Sequence, residues 1–342
     1  MKESKVYSSI DVVKFLCSML VVAIHTSPFL EFNKDISYGF VNVLARIAVP
    51  FFFTASGYFF MKKISKVSTI TVFTTYVKRL FILYIGWSLV YFPADIRSLL
   101  SQSDNLSVVV AQYLKKFFFL GTSDHLWYIP SLMLAITLLY VAFVKKKIKL
   151  FFILSLIFYG FGLIGDSYFG LIKDIHILSD IYTLYFRFFE NTRNGLFFGF
   201  LFVMLGAMIF LHREKTHEKI HVSFSLTMFV LLFIEAFALR FFHIPKDCNL
   251  YIMNVPFIFY FFNYLLSLDF ELNKTLSYTF RVYSIGIYFI HVVFLILYST
   301  LFRILNLSDI QTLYFLLVVL SSIVSIYVIK KFRIPFFNNL IS

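Results

Sequence analysis

The sequence predicts an all-α, polytopic membrane protein with about ten transmembrane helices, and three observations carry that prediction. Of the 342 residues, 60% are hydrophobic and only 14% are charged. Apolar segments of about 20 residues recur along the whole chain, which is the length a helix needs to cross a hydrocarbon core about 30 Å thick. The charges also sort by side. With the N-terminus inside, the inner loops carry Lys and Arg in large excess over Asp and Glu, whereas the outer loops hold both signs in balance.

The spans follow in order. The first, 9–29, comes after Lys2 and Lys5 as the core of a signal peptide would, but Asp11 and Lys14 interrupt its apolar run and no small-residue cleavage site follows. It is expected to be retained. The second, 39–61, ends at Lys62, Lys63 and Lys66, and the third, 79–96, begins at Lys78 and Arg79. A long outer connection from Arg97 to His125 then includes Val108 to Leu120, where Lys115 and Lys116 break an apolar stretch. That pattern suits a short helix lying in the interface. Spans four and five, 126–144 and 150–166, are joined by Lys145, Lys146, Lys147 and Lys149. A second mixed connection runs from Ser167 to Asn191. The sixth span, 192–211, precedes Arg213, Lys215 and Lys219. The seventh to tenth are 222–240, 249–268, 282–302 and 311–330, and Lys330, Lys331 and Arg333 close the series.

Both termini are then cytoplasmic, and 1–342 reads as a single membrane domain of a multi-pass protein in the lipid bilayer. A soluble catalytic domain, if function requires one, is expected on a separate partner protein or outside this sequence. The formal charge of +13 belongs to the inner loops, so its expected neighbours are anionic headgroups rather than nucleic acid. Cys17 and Cys248 give no disulfide framework and are expected as free thiols.

Ionisable groups inside the spans are costly, at about 2.5 kcal/mol or more near the bilayer centre, so each one points to protein, water or substrate. Asp11, Lys14 and His25 interrupt the first span. At about 100° per residue, Lys14 and His25 lie roughly 20° apart around the helix, with Asp11 within about 60° of both. The three share one stripe, with His25 about 16 Å outward of Lys14. Lys14 either receives an anion from the cytoplasmic side or pairs with Asp11 one turn away. Arg46 and Glu235 come out at a depth similar to that of His25. They either form a buried ion pair or line an outward-opening polar cavity. His25 is the sharper chemical candidate, because imidazole takes and returns a proton near neutral pH.

Further candidates are His291 in the ninth span, His125 and Trp127 at the end of the first long outer loop, and Ser56 in Thr54-Ala55-Ser56-Gly57. Each has a plain structural alternative: an interhelical hydrogen bond for His291, an aromatic belt for His125 and Trp127, and close small-residue packing for Ser56.

Several of these residues fall in recognisable motifs. Asp11-Val12-Val13-Lys14, ten residues and then His25 resembles the basic residue, ten-residue spacer and His of the integral-membrane acyltransferase-3 family. Arg46-Ile47-Ala48-Val49-Pro50-Phe51-Phe52-Phe53-Thr54-Ala55-Ser56-Gly57-Tyr58 is similar to the family's Phe-Phe-x-x-Ser-Gly stretch. His125-Leu126-Trp127-Tyr128, Arg193-Asn194-Gly195 and Tyr288-Phe289-Ile290-His291 resemble further landmarks, in order, across nearly the whole chain. In detail the motifs look most like the branch that holds the membrane domains of VanT-type serine racemases and related polysaccharide O-acetyltransferases. The sequence departs from many sugar-modifying members at Ile82, which stands three residues after Arg79 where they carry a second Arg.

The resemblance implies a ten-helix acyltransferase of the bacterial plasma membrane. It would move an acyl group, most simply acetyl, from cytosolic acetyl-CoA or another acyl-CoA to a hydroxyl of a sugar or envelope polymer, with no metal implied. His25 would be the general base or a transient acyl carrier, with Asp11 and Lys14 setting its surroundings. Arg46, Ser56, His125, Trp127, Arg193, Asn194, Glu235 and His291 would bind and orient the substrates. The alternative that the same branch implies is a serine or small amino acid transporter, or a membrane subunit beside a racemase.

Overall fold

In a computed structural model that describes residues 7–67, 69–212, 218–307 and 310–341, all regular structure is helical. Along the chain run α1 (Ser8–Thr26), α2 (Lys34–Ile64), α3 (Thr69–Leu100), α4 (Leu106–Lys115), α5 (Tyr128–Val144), α6 (Ile148–Ile164) and α7 (His176–Phe188). They are followed by α8 (Gly195–Leu211), α9 (Glu218–Phe241), α10 (Asn254–Ser267), α11 (Lys274–Ile304), α12 (Gln311–Lys331) and α13 (Pro335–Ile341). The basic residues Lys2, Lys5, Arg213 and Lys215 lie outside the described residues, as does the side chain of Lys219.

Each of the ten expected spans falls on a helix, but the helices are not of one kind. Among the described residues, six segments are long and apolar enough to cross a membrane: α1, α2, α3, the His221–Phe241 part of α9, α11 and α12. By contrast α5 and α6 have 17 residues each, about 25 Å at 1.5 Å per residue, and α10 has 14. The shorter helices fall below a full hydrocarbon thickness. The third span is longer than expected because the helix continues through Lys78 and Arg79, both exposed, whose long stems let their charges reach water. Helices α4 and α7 occupy the two long connections, as their mixed composition predicts. The side chain of Asn105 caps α4 by accepting from the Ser107 N–H at 3.0 Å, and α7 buries Tyr182 against Phe161, with ring centroids 4.6 Å apart.

Wide helical turns recur at three places: Gly39–Leu44 in α2, Lys116–Leu120 after α4, and Gly195–Gly199 at the start of α8. Such π turns are rare and cluster at functional sites. The first is followed by a tight turn at Ala45–Ile47, so the backbone that carries Arg46 is irregular on both sides.

The chain divides into two compact units. The first holds α1, α2 as far as Phe52, α9 as far as Ala238, and α10 to α13. Within it α1 packs on α10, α11, α12 and the irregular start of α2. The loop after α1 is pinned to the start of α12: the Phe29 N–H donates to Thr312 Oγ1 at 2.8 Å, and the Thr312 N–H donates to Glu31 Oε1 at 2.8 Å. Burial works against the Glu31 charge, but the hydrogen bonds from Thr312 and from its own backbone N–H together outweigh it and hold the carboxyl below its ordinary value. This pin is therefore fully present above the free glutamate pKa of about 4.3, and it is lost as the pH falls through the depressed value. Exchange of the Thr312 amide hydrogen is expected to stay slow from neutral pH down to that range and to speed up below it.

The second unit runs from Phe53 to His212 and includes 239–251. Its centre is α8, where every residue from Phe200 to Ala207 is buried, as suits a helix that is apolar all round. Two glycines bring its backbone against α2. A Cβ on Gly57 would lie 2.0 Å from the Val203 carbonyl oxygen, and one on Gly206 would lie 2.0 Å from that of Thr54. The small-residue reading of Thr54-Ala55-Ser56-Gly57 is thus realised in the fold.

Candidate functional site

In the first unit the polar stripe of α1 meets a second stripe on α11. Ser277, Arg281, Ser284, Tyr288 and His291 recur at spacings of four and three residues, one face of a helix. The two stripes join at three levels. The buried Asp11 carboxylate accepts from Arg281 Nη2 at 2.9 Å, from Arg281 Nε at 3.3 Å and from Ser277 Oγ at 2.8 Å. Next, Ser284 Oγ donates to the Lys14 carbonyl at 3.0 Å. At the far end the rings of His25 and His291 lie 5.5 Å apart, centre to centre, tilted by 39°. The residue numbers rise together on both helices, so α1 and α11 run parallel. The seam covers Asp11 to His25, about 21 Å at 1.5 Å per residue.

The sequence admits Lys14 as a partner of Asp11 but does not point to Arg281, because hydropathy starts the ninth span at 282 whereas the helix begins at Lys274. The signal was available, since Ser277, Arg281 and Ser284 continue the face that holds His291. His291 is fully buried, and its Nδ1 pairs with the Ile287 carbonyl of its own helix at 3.0 Å. That bond lies within its own helix. It fixes the imidazole plane beside His25. Half of the Arg281 side chain is exposed while that of Asp11 is 6% exposed, so removing the carboxylate charge affects mainly the buried partner. Asp11→Asn is expected to lower stability by about 1–3 kcal/mol, read as a lower thermal midpoint, and adding Arg281→Gln should change it little further, since the half-exposed guanidinium stays hydrated.

Arg46 and Glu235 also belong to this unit and are tied to the start of α10. Both Glu235 oxygens accept backbone N–H groups, Oε1 from Ile252 at 2.7 Å and Oε2 from Met253 at 2.8 Å. Negative charge at those N–H groups complements the helix dipole. Asn254, the first residue of α10 and fully buried, donates from Nδ2 to the Arg46 carbonyl at 3.5 Å. The Arg46 side chain donates from Nη2 to Asn42 Oδ1 at 3.3 Å.

The second unit gathers the other candidates. Arg193 lies over the Trp127 ring with its central carbon 4.8 Å from the centroid, and Nη1 donates to Asn249 Oδ1 at 3.4 Å. Asn249 in turn donates to Asp166, Nδ2 to Oδ2 at 2.8 Å and the backbone N–H to Oδ1 at 2.7 Å. Asp166 also accepts from Ser167 Oγ and the Leu250 N–H, so a buried carboxylate organises the loop that positions Arg193. Neither Asp166 nor Asn249 stands out in the sequence.

Asn194 caps α8: Oδ1 accepts from the Leu196 and Phe197 N–H groups, both at 3.0 Å, and Nδ2 donates to Tyr185 Oη at 2.9 Å. Asn194→Ala is expected to cost about 1 kcal/mol, seen as a lower unfolding temperature. His125 is buried with its ring edge-on to Tyr91 at 5.0 Å. Ser56 is a hydrogen-bond partner of the Tyr76 and Tyr128 phenols. The candidates thus form two groups. Asp11, Lys14, His25, Arg46, Glu235 and His291 lie in the first unit, and Ser56, His125, Trp127, Arg193 and Asn194 in the second.

Comparison with known proteins places this architecture. Residues 7–330 match a family model described as an acyltransferase domain. Two proteins of Enterococcus faecalis described as amino-acid racemases are similar, one 32% identical over 78% of this chain and 37% of its own length, the other 28% identical over 93% and 45%. A serine/alanine racemase of Enterococcus gallinarum is 31% identical over 75% of this chain and 37% of its own. The chain therefore spans less than half the length of these relatives. No solved structure matches it. With its helical build and its ordered motifs on one continuous match, the chain belongs to the acyltransferase-3 family of membrane proteins.

Proposed function

We propose that the protein transfers an acyl group, most simply acetyl, from a cytosolic acyl-CoA to a hydroxyl of a sugar or envelope polymer at the bacterial plasma membrane. The observation that carries this reading is the seam between α1 and α11, which runs from the cationic Lys14 and Arg281 end to the imidazole pair of His25 and His291. Lys14 and Arg281 suit the phosphates of the donor. In this reading His25 takes the proton of the acceptor hydroxyl as its oxygen attacks the thioester carbonyl. A C–O bond forms, the C–S bond breaks, and the proton passes on to the departing thiolate, leaving ester and free thiol. General-base assistance of this kind contributes about 10²–10⁴-fold. Both termini are cytoplasmic in this scheme, and a separate soluble partner can deliver or consume the acceptor. Membranes carrying the protein should release CoA thiol from acetyl-CoA only when an envelope saccharide is supplied. Failure across a panel of such acceptors would contradict the reading.

A second reading is supported by the relatives, all three of which are described as racemases of amino acids. In it the chain is the membrane part of an amino acid supply system, and it moves serine or a similar small amino acid. This reading predicts saturable serine uptake into proteoliposomes without any thioester.

A further inference from the structure

A small pocket in the second unit is lined by three of the residues expected to bind substrate, Trp127, Arg193 and Asn194. It lies between the π turn at Lys116–Leu120 and the segment from Phe189 to Asn194, and Trp127 and Arg193 form its inner wall. Three features define what it can hold. Its free space is about 50 Å³, room for roughly four water molecules, which suits a small polar group. Arg193 is held against the Trp127 face and by Asn249, itself bonded to the buried Asp166, so its guanidinium is preorganised as a carboxylate receptor. The same lining includes Lys116, Asp124 and Glu190, of which Asp124 and Glu190 are exposed. Two cationic and two anionic side chains on one lining complement a ligand that itself carries both signs, a zwitterion.

We propose that this pocket binds the head of a small α-amino acid, with its carboxylate on Arg193 and its ammonium against Asp124 and Glu190. The proposal rests on the amino acid reading above and adds to it a location and a polarity. Lys116 reinforces the carboxylate end, and the buried Asp166 network explains why Arg193 stays in place without ligand. Side-chain selectivity is expected to be weak for serine against alanine, because the groups that recognise the ligand address only its charged head.

The test is equilibrium binding of radiolabelled L-serine to the full chain in lipid nanodiscs. Wild-type protein should bind serine, with competition by L-alanine and glycine, and without competition by N-acetylserine, which lacks the ammonium, or by serinol, which lacks the carboxylate. Arg193→Gln should weaken binding at least tenfold. Asp124→Asn with Glu190→Gln, two positions whose exposure leaves the fold intact, should weaken it several-fold. If serine binds and both variants bind it as wild type does, the site is elsewhere, and the proposal falls while the amino acid reading stands. If serine does not bind at all while acetyl-CoA is turned over, the reading falls and the proposal with it. Competition by N-acetylserine or serinol as strong as that by alanine overturns the assigned polarity.

Discussion

His25→Ala is expected to reduce acyl incorporation by at least 10²-fold while protein abundance and membrane insertion stay near wild type. The size follows from what a general base contributes, about 10²–10⁴-fold. The selectivity for activity over folding follows from position. His25 sits in the last turn of α1, part-buried, next to the loop that Glu31 and Phe29 already pin through Thr312. The body of α1 is held independently through Ser9, Asp11 and the Lys14 carbonyl. His291→Ala is expected to differ, because that ring is fully buried and its loss leaves a cavity costing a few kcal/mol, so abundance should fall along with activity. Acyl incorporation per unit of protein, measured side by side with abundance for the two variants, separates these effects. Unchanged incorporation in His25→Ala would remove the mechanism.

Gly57→Val and Gly206→Val are expected to prevent assembly of the second unit. At each position the added Cβ would meet a backbone carbonyl oxygen at 2.0 Å, far inside contact distance. Backbone yields less than a side chain would, so the cost should meet or exceed the roughly 3 kcal/mol upper end of ordinary overpacking. The obstruction is reciprocal, Gly57 against Val203 and Gly206 against Thr54, so either substitution alone is expected to abolish a monodisperse peak in size-exclusion chromatography. Gly160→Val is the control, since a Cβ there meets nothing within 4 Å, and it should behave as wild type.

How far the sequence reveals the fold differs between helix and loop. Long apolar windows locate the spans because a lipid environment demands helices with internally satisfied backbones, and α4 and α7 fall where mixed apolar and cationic residues place them. The seam is half legible. The stripe of Asp11, Lys14 and His25 follows from 100° arithmetic, and the facing stripe obeys the same period, yet Ser277 and Arg281 lie before the edge of hydropathy, in helix that begins at its cap, Asn273, which accepts from Leu276 N–H. Pairing between two distant helices is a tertiary fact, and no single-helix pattern states that His25 faces His291. The roles of Glu235 and Asn194 at helix starts were also hidden. A polar residue in an apolar run reads the same whether it faces a substrate or satisfies orphan N–H groups. Asp166 and Asn249 sit in irregular segments where periodicity carries no signal. The π turns at Gly39, Lys116 and Gly195 leave no mark in composition at all.

The most direct test of the account is a single experiment on proteoliposomes given both acetyl-CoA labelled in the acetyl group and L-serine labelled separately, with an envelope saccharide acceptor present. The account predicts that acetyl label moves to the acceptor with stoichiometric release of CoA thiol, and that this transfer disappears in His25→Ala. Saturable accumulation of serine with no thioester turnover, unaffected by His25→Ala, would contradict it.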